Sequence, residues 1–386
     1  MNETNTDLIA RKLAYIATIE SLNPIPGADR IEVAQILNWQ CVVKKGEYSV
    51  GSKVIFIEVD SRLPAIPQFE FMRERKFKVK AIKLKKQVSQ GLVVPLKDFP
   101  EIQADQFFQL EDGFDLTQKL HITNYVKDVE NAEEAANANV QTKMPRWLMD
   151  MAWFRWIYFK LNPKDKGWPV EWAGPKTDET RIQVVAKYIM EHYNEPWYIT
   201  EKIDGQSGTF FVYWKRKWGF ARKKFGVCSR NIFIKKPNQS TYWRMAEKYG
   251  LREKLMKYSH VSVQGEVTGP SIQKNKYQLP EVCLYVFNVI FEGLRMGLDN
   301  MRDFCAENGL TMVPIVDGNF IPSEAIGPNK SVQEVVDWLL TYSKGQSKIG
   351  QHIREGIVCR LKSNPEVSLK VINPEWSLAE AKDERD

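Results

Sequence analysis

Glu201-Lys202-Ile203-Asp204-Gly205-Gln206 sets a single lysine one step from a carboxylate and a glycine, between two segments suited to strands. Trp197-Tyr198-Ile199-Thr200 precedes it and Thr209-Phe210-Phe211-Val212-Tyr213-Trp214 follows, both rich in aromatic and β-branched residues. Lys202 therefore belongs at a strand end or tight turn. A lysine in such a place is ordinarily a solvated surface residue. Later segments of the chain change that reading.

Outward from this stretch, residues 176–386 mix strands with helices in no regular alternation. Strands are expected at 261–267, 282–291, 356–361 and 367–372, and helices at 180–193 (with Thr180 as cap), 241–258 and 331–343. The pattern disfavours a doubly wound parallel sheet and points to an α+β domain. Residues 12–110 read instead as short strands, 13–19, 31–43, 53–59, 76–84 and 91–96, broken by Pro24-Ile25-Pro26-Gly27, Lys45-Gly46, Gly51 and Pro64. Five strands in so short a span predict a small β-barrel, an OB fold ahead of an SH3-like one. The expected division is a barrel over 1–115, a connector with helices over 116–175, and a second domain over 176–386. The connector contains an alanine- and asparagine-rich run at 130–141 and a tryptophan-rich amphipathic segment at 147–161.

A chain of 386 residues can bury two or three cores, and 43% hydrophobic with 27% charged residues describes ordered globular domains. The net charge of +7 only hints at an acidic partner. Neither the cysteines (Cys41, Cys228, Cys283, Cys305, Cys359) nor the histidines (His121, His192, His260, His352) cluster, which argues against a zinc site built on local spacing. Dispersed, odd-numbered cysteines and no apolar leader after Met1 predict a reducing, cytoplasmic setting. Asp150, Arg155 and Lys160 interrupt the most apolar stretch, so no membrane span is expected. No G-x-x-x-x-G-K-[ST] loop is present, so any nucleotide is held in another way.

In chain order the residues with chemical potential are Lys202 and Asp204, Ser229-Arg230-Asn231, Gly265-Glu266, Phe287, Glu355-Gly356 and Lys370. A neutral amine attacks phosphorus well, and it is favoured when burial and nearby cations disfavour the ammonium form; Lys370 is placed to be such a cation. Lys370 also suits the charge that develops on phosphate oxygens. Glu266 and Glu355 are hard oxygen ligands for a divalent metal, Glu266 alternatively a partner for ribose hydroxyls. Phe287 offers a face for a purine, and Asp204 suits orienting the lysine or holding metal-bound water.

The order of these residues resembles the covalent nucleotidyltransferase superfamily of ligases and capping enzymes. Lys202-Ile203-Asp204-Gly205 looks like its K-x-D-G nucleophile motif, 265–273 like the third motif of RNA ligases, and 284–289 like the strand carrying the base-stacking aromatic. Glu355-Gly356-Ile357-Val358 and Ser368-Leu369-Lys370-Val371 look like the fourth and fifth motifs. Only sixteen residues follow Lys370, whereas DNA ligases and capping enzymes carry their OB domain there; here the barrel comes first. Gly226-Val227-Cys228-Ser229-Arg230-Asn231 resembles the segment of RNA-editing-type ligases that contacts the RNA end, and 175–183 their entry helix. The arrangement is similar to the fifth RNA ligase family, an OB module before an adenylyltransferase domain of antiparallel sheets and helices, the ligase branch of an ATP-grasp-like class. Ser207 stands where DNA ligases have arginine and many RNA ligases asparagine, and Ser368 replaces the first lysine of a K-x-K pair.

The resemblance implies an ATP-dependent RNA ligase that uses Mg2+ or Mn2+ to join 3′-hydroxyl and 5′-phosphate RNA ends, in a nicked duplex or as free ends, through lysyl-AMP and RNA-adenylate; a monomer is expected, though the sequence does not fix the oligomeric state. Lys202, Asp204 and Lys370 are the implied catalytic residues. Glu201, Lys202, Ile203, Glu266, Phe287, Glu355 and Lys370 would hold the nucleotide; Asp204, Glu266 and Glu355 the metal. Ser207, Ser229 and Arg230 would meet RNA in the catalytic domain. In the barrel, Lys76, Lys78 and Lys80 fall on one face of the expected strand, with Lys83 continuing it past a phase shift, a basic groove for nucleic acid. A second basic run, Lys215-Arg216-Lys217-Trp218-Gly219-Phe220-Ala221-Arg222-Lys223-Lys224, reads as a hairpin tip beside the active site, suited to phosphate. The rival readings are a DNA ligase or capping guanylyltransferase and a non-catalytic protein that binds RNA ends.

Overall fold

The computed structural model describes residues 11–103, 111–125, 151, 166–177, 179–217, 220–234 and 240–383. The 130–141 run, and 147–161 except Met151, lie outside them. The chain divides into two compact units, one of residues 1–129, 332–336 and 374–386, the other of 130–331 and 337–373.

The first unit is built on a five-stranded antiparallel sheet of β1 (Ala14–Pro24), β2 (Ile31–Ile36), β3 (Trp39–Lys44), β4 (Lys53–Ile57) and β5 (Leu92–Pro95), in the order β3-β2-β1-β4-β5. The stretch 31–43, expected as one strand, is a tight hairpin: Leu37 takes φ 50° and Ile36 pairs with Trp39. Gln90 N donates to the Gln40 carbonyl at 2.8 Å and Val42 N to Ser89 Oγ at 2.9 Å, which brings β3 against the segment entering β5. β1 and β4 bury both faces. Tyr15, Ala17 and Ile19 pack with Trp39 and Phe56 on one side, Ala14 and Ile16 with Ile55, Ile57, Phe69 and Phe99 on the other. At about 1.5–3 kcal/mol per large apolar side chain, these two layers are what hold the unit together. Leu116, Leu120 and Ile122 join the second layer, and Thr123–Asn124 pairs with Ser61–Arg62, so residues beyond 115 pack with the sheet.

The basic strand expected over 76–84 does not form. A 3-10 helix, Pro67–Arg75, buries Phe69 and Met72, and the chain then reverses through left-handed Lys76 and Phe77 (φ 52° and 56°). Lys78–Val79 is a two-residue strand, and Ile82–Leu84 pairs with Gln87–Ser89 around Lys85-Lys86, both also left-handed. Lys78 and Lys80 Nζ lie 4.9 and 5.7 Å from the Tyr125 ring centroid. Lys76 and Lys83 are exposed elsewhere, so the four lysines share no single strand face. Burying Phe69, Met72 and Val79 together outweighs the regular alternation read from sequence.

The second unit contains two sheets. In the larger, β7 (Gln206–Lys217), β8 (Phe220–Cys228), β9 (Val261–Thr268) and β10 (Cys283–Phe291) run antiparallel in the order β8-β7-β9-β10. One face (Phe210, Val212, Val263, Val267, Leu284, Val286) packs on helices α2 (Thr241–Lys248) and α3 (Leu298–Glu307). The expected helix 241–258 is interrupted at Gly250, whose φ of 58° ends the first helical run and starts a shorter one. The smaller sheet orders β13 (Ser368–Ile372), β12 (Gly356–Leu361), β6 (Trp197–Lys202) and β11 (Ile315–Phe320), with Thr180–Arg181 parallel to β13 at its edge. Thr180 is thus a strand residue, and α1 (Ile182–Glu191) is capped at Arg181 without a side-chain bond. Among the described residues, no helix is long and apolar enough to cross a membrane.

Candidate active site

Cross-strand partners in a sheet point the same way, so register assigns each functional side chain to a face. In the smaller sheet Lys202 pairs with Gly356, Gly356 with Ile372, Val358 with Lys370 and Arg360 with Ser368. Lys202, Lys370 and Arg360 therefore stand on one face. In the larger sheet Ser207 pairs with Glu266 and Glu266 with Tyr285, on the face away from the helices. The Ile203–Asp204–Gly205 turn joins β6 to β7 and carries the chain from one sheet to the other. A Cβ on Gly205 would sit 2.4 Å from the Val267 carbonyl, and one on Gly356 2.2 Å from the Val371 carbonyl, so both glycines are required by close backbone approach.

Lys202 Nζ donates to Glu355 Oε1 at 2.5 Å. Burial acts to lower the lysine pKa, yet Glu355, Glu266 and Asp204 outweigh it and hold the amine above the ordinary lysine range. The sequence reading expected the opposite, a lysine made neutral by burial and cations. In this structure the carboxylates dominate because three of them surround one amine. Their crowding appears in Glu266, whose carboxyl burial pushes up to about 8, with Glu355 and Asp204 adding to the rise against Lys202 and Arg230. Asp204 Oδ2 accepts from Lys276 Nζ at 2.9 Å, and its backbone N–H donates to the Tyr277 hydroxyl at 2.8 Å.

Phe287 is the extra residue of a β-bulge: Gln264 pairs with Asn288 and Gly265 with Val286, leaving Phe287 unpaired on β10. A bulge re-aims the side chain it carries. Here Arg360 Nη1 occupies the Phe287 carbonyl at 3.1 Å and its Nη2 meets Glu179 Oε1 at 2.6 Å. The guanidinium, 2% exposed, thus ties the bulge to the smaller sheet. Asn288 Nδ2 donates to Gln264 Oε1 at 2.7 Å, and Thr177 hydrogen-bonds to the same oxygen.

Other expected residues have different places. Glu201, next to Lys202 on the strand, points away from it; it is 2% exposed and accepts from Ser347 Oγ and from Lys348 N at 3.0 Å. Ile203 is buried. Ser229 is also buried, its Oγ accepting from Ile232 N at 3.2 Å to close the turn after β8, while Arg230 is partly exposed and acts electrostatically on Glu266. Lys276, Tyr277, Glu179 and Arg360 were missed from sequence. Arg360 alone carried a readable signal, a charge inside the apolar run Gly356-Ile357-Val358-Cys359-Arg360-Leu361, which demands a partner if the strand is buried.

Among the described residues no three His, Cys, Asp or Glu side chains are grouped to hold an ion by themselves. The expected trio of Asp204, Glu266 and Glu355 is therefore not a preformed cage. Glu355 and Asp204 are paired with lysines instead. Glu355 Oε2 is nevertheless buried with no hydrogen-bond partner, and burial, with the charges of Glu355 and Asp204 adding to it, raises the Glu266 carboxyl. Both features fit a cation that takes one or two carboxylates and fills its remaining positions with water and phosphate oxygens.

A family model described as RNA ligase matches residues 195–372, and one described as an OB-fold domain matches 13–96. No curated protein matches the chain. Among solved structures, an RNA ligase of Naegleria gruberi, an arginine-to-alanine mutant with ATP and Mn, is similar at 25% identity and TM-score 0.71, over 97% of this chain and 100% of that one. The same organism's RNA ligase with PPi gives 24% identity and TM-score 0.72, over 97% and 100%. A lysine-to-alanine mutant with ATP and Mn gives 23% and 0.71, over 95% and 98%. The motif-bearing strands all fall inside the first match and the five-stranded sheet inside the second, so the chain carries an OB-fold domain followed by an RNA ligase domain.

Proposed function

We propose that the chain is an ATP-dependent RNA ligase in which Lys202 carries the adenylate. The carrying observation is the convergence of Lys202, Glu355, Glu266 and Asp204 within one electrostatic cluster, with Lys370 on the Lys202 face and the bulged Phe287 at the facing sheet. In the first step the Lys202 nitrogen bonds to the α-phosphorus, the bond to the bridging oxygen breaks, and pyrophosphate leaves. Lys202 must first lose one proton, and Glu355 Oε1, 2.5 Å away, is the acceptor at hand. Lys370 offsets charge on the α-phosphate oxygens. Phe287 stacks the base, and Glu266 takes the ribose hydroxyls or shares the cation. A divalent cation held through Glu355 and Glu266 would supply positive charge that disfavours lysyl ammonium and neutralises phosphate.

AMP then passes to a 5′-phosphate of RNA, and a 3′-hydroxyl displaces it to leave a phosphodiester. RNA is the substrate class that an RNA ligase domain implies. Arg230, beside Glu266, and Ser207, paired with it, are the catalytic-domain residues we assign to the RNA end. Lys78 and Lys80 on the barrel are assigned to its flank. The described cysteines are unpaired thiols, which suits the reducing cytoplasm as its setting. The test is α-labelled ATP with Mg2+ or Mn2+: label appears on the wild-type chain and not on Lys202→Ala, which also loses sealing. A chain that takes no label, or takes it from GTP alone, removes the reading.

A further inference from the structure

The hairpin of β7 and β8 runs far beyond the strand end that carries Ser207 and Glu266, and its chemistry is not used by adenylate transfer. No Asp or Glu stands between Asp204 and Glu247, while the hairpin itself carries two runs of basic residues. Lys215 pairs with Arg222, Tyr213 with Lys224 and Lys217 with Phe220, so Lys215, Phe220, Arg222 and Lys224 share a face. By the unbroken alternation along β7 it is also the face of Ser207 and, through pairing, of Glu266. Between the two, Phe211 and Tyr213 are covered by Trp168 and Ala173. Past that cover the side chains emerge: Lys215, Arg222 and Lys224 are exposed, and the Phe220 ring is 76% exposed. Eight residues at about 3.3 Å each put Lys215 about 26 Å along the strand from Ser207.

We propose that this hairpin face is a second RNA contact, gripping the substrate backbone about 26 Å from the joining site. The inference rests on the ligase reading. Its occupant is RNA because cations interleaved with an exposed aromatic, with no acid on the hairpin, suit a phosphate backbone with a base to stack. A ring exposed to this degree at a strand end gains nothing from packing within the unit, whereas base stacking would bury it.

The test combines Lys215→Ser, Arg222→Ser and Lys224→Ser in the full chain, with Phe220→Ser as a second variant. Labelling of Lys202 from ATP should be unchanged, which also reports intact folding of the catalytic unit. Binding of a long RNA should lose salt dependence in the triple variant, the slope of log K against log salt falling by about 2 for three lost single-strand phosphate contacts. The KM for that RNA should rise in both variants. On RNA trimmed to end short of the hairpin, variants and wild type should perform alike. A wild type that labels and seals, beside a triple variant with an unchanged slope on long RNA, overturns the proposal. So does weakened binding to polyglutamate with RNA binding untouched. A wild type that never labels defeats the ligase reading instead, a distinct result.

Discussion

Glu355→Gln tests the central electrostatic claim, that carboxylates keep Lys202 protonated in the nucleotide-free enzyme. The Lys202–Glu355 contact is 2.5 Å between Nζ and Oε1, with both side chains more than two thirds buried. At ~4 Å between charge centres and an effective permittivity near 20, one carboxylate contributes about 4 kcal/mol to holding the proton. That corresponds to about three pKa units, and water entering at the partly exposed edge trims it. Glutamine keeps the shape and an acceptor oxygen while removing the charge, so the lysine pKa should fall. The assay is acylation of the nucleotide-free protein by a small reagent across alkaline pH, with the Lys202 peptide followed by mass spectrometry against surface lysines. Lys202 in the wild type should react more slowly than exposed lysines, and in Glu355→Gln it should gain at least ~10-fold. Adenylylation should nevertheless drop, since Glu355 is also the residue we assign as first base and cation ligand. Equal Lys202 reactivity in both proteins, or slower reaction in the variant, would refute the reasoning.

Glu266→Gln should raise the Tm of the ligand-free protein at pH 9 while abolishing adenylylation. The folded-state carboxyl sits at about 8 against an ordinary 4.5, so the native state binds the extra proton between these values; stability is greatest below about 4.5 and declines up to about 8, and the Tm difference should vanish at the acid end. Phe287→Leu should raise KM for ATP about 5- to 150-fold, the equivalent of roughly 1–3 kcal/mol of base stacking, with RNA binding unchanged. Arg360→Ala leaves buried Glu179 with Arg295 alone, 3.9 Å away, and releases the bulged carbonyl, so urea unfolding should show a loss of about 3 kcal/mol. If Arg360 positions the bulge, Arg360→Lys should recover stability better than it recovers KM for ATP. Gly205→Ala should express as a less stable protein that does not label, because its Cβ would lie 2.4 Å from a carbonyl that cannot move without shifting β9.

Local signals worked wherever a residue's neighbours in sequence are also its determinants. The strands around Lys202, the 356–361 strand and the barrel character of the N-terminal region were legible from β-branched runs and turn residues. The reading failed where distant packing decided the local backbone. Residues 76–84 alternate well enough for a strand, but Phe69, Met72 and Val79 share a buried layer, and reaching it forces two consecutive left-handed residues. Thr180 has the chemistry of a cap, yet pairing with Leu369 draws it into the sheet. Ser229, an RNA contact by motif resemblance, uses its hydroxyl to close a turn that no local pattern announces.

By itself the sequence determined the α+β class, the barrel-first order and which residues carry reactive groups, because composition and chain order are one-dimensional properties. Only the tertiary structure decided what those groups do to one another. Whether Lys202 is ammonium or amine depends on three carboxylates, one of them 153 positions away. Where Phe287 points depends on a single unpaired residue in the register of β9 and β10, secured by an arginine from the other sheet. Coulomb energy and packing fall off with distance in space, and that distance is set by strand register and sheet facing, which no local window of the chain contains.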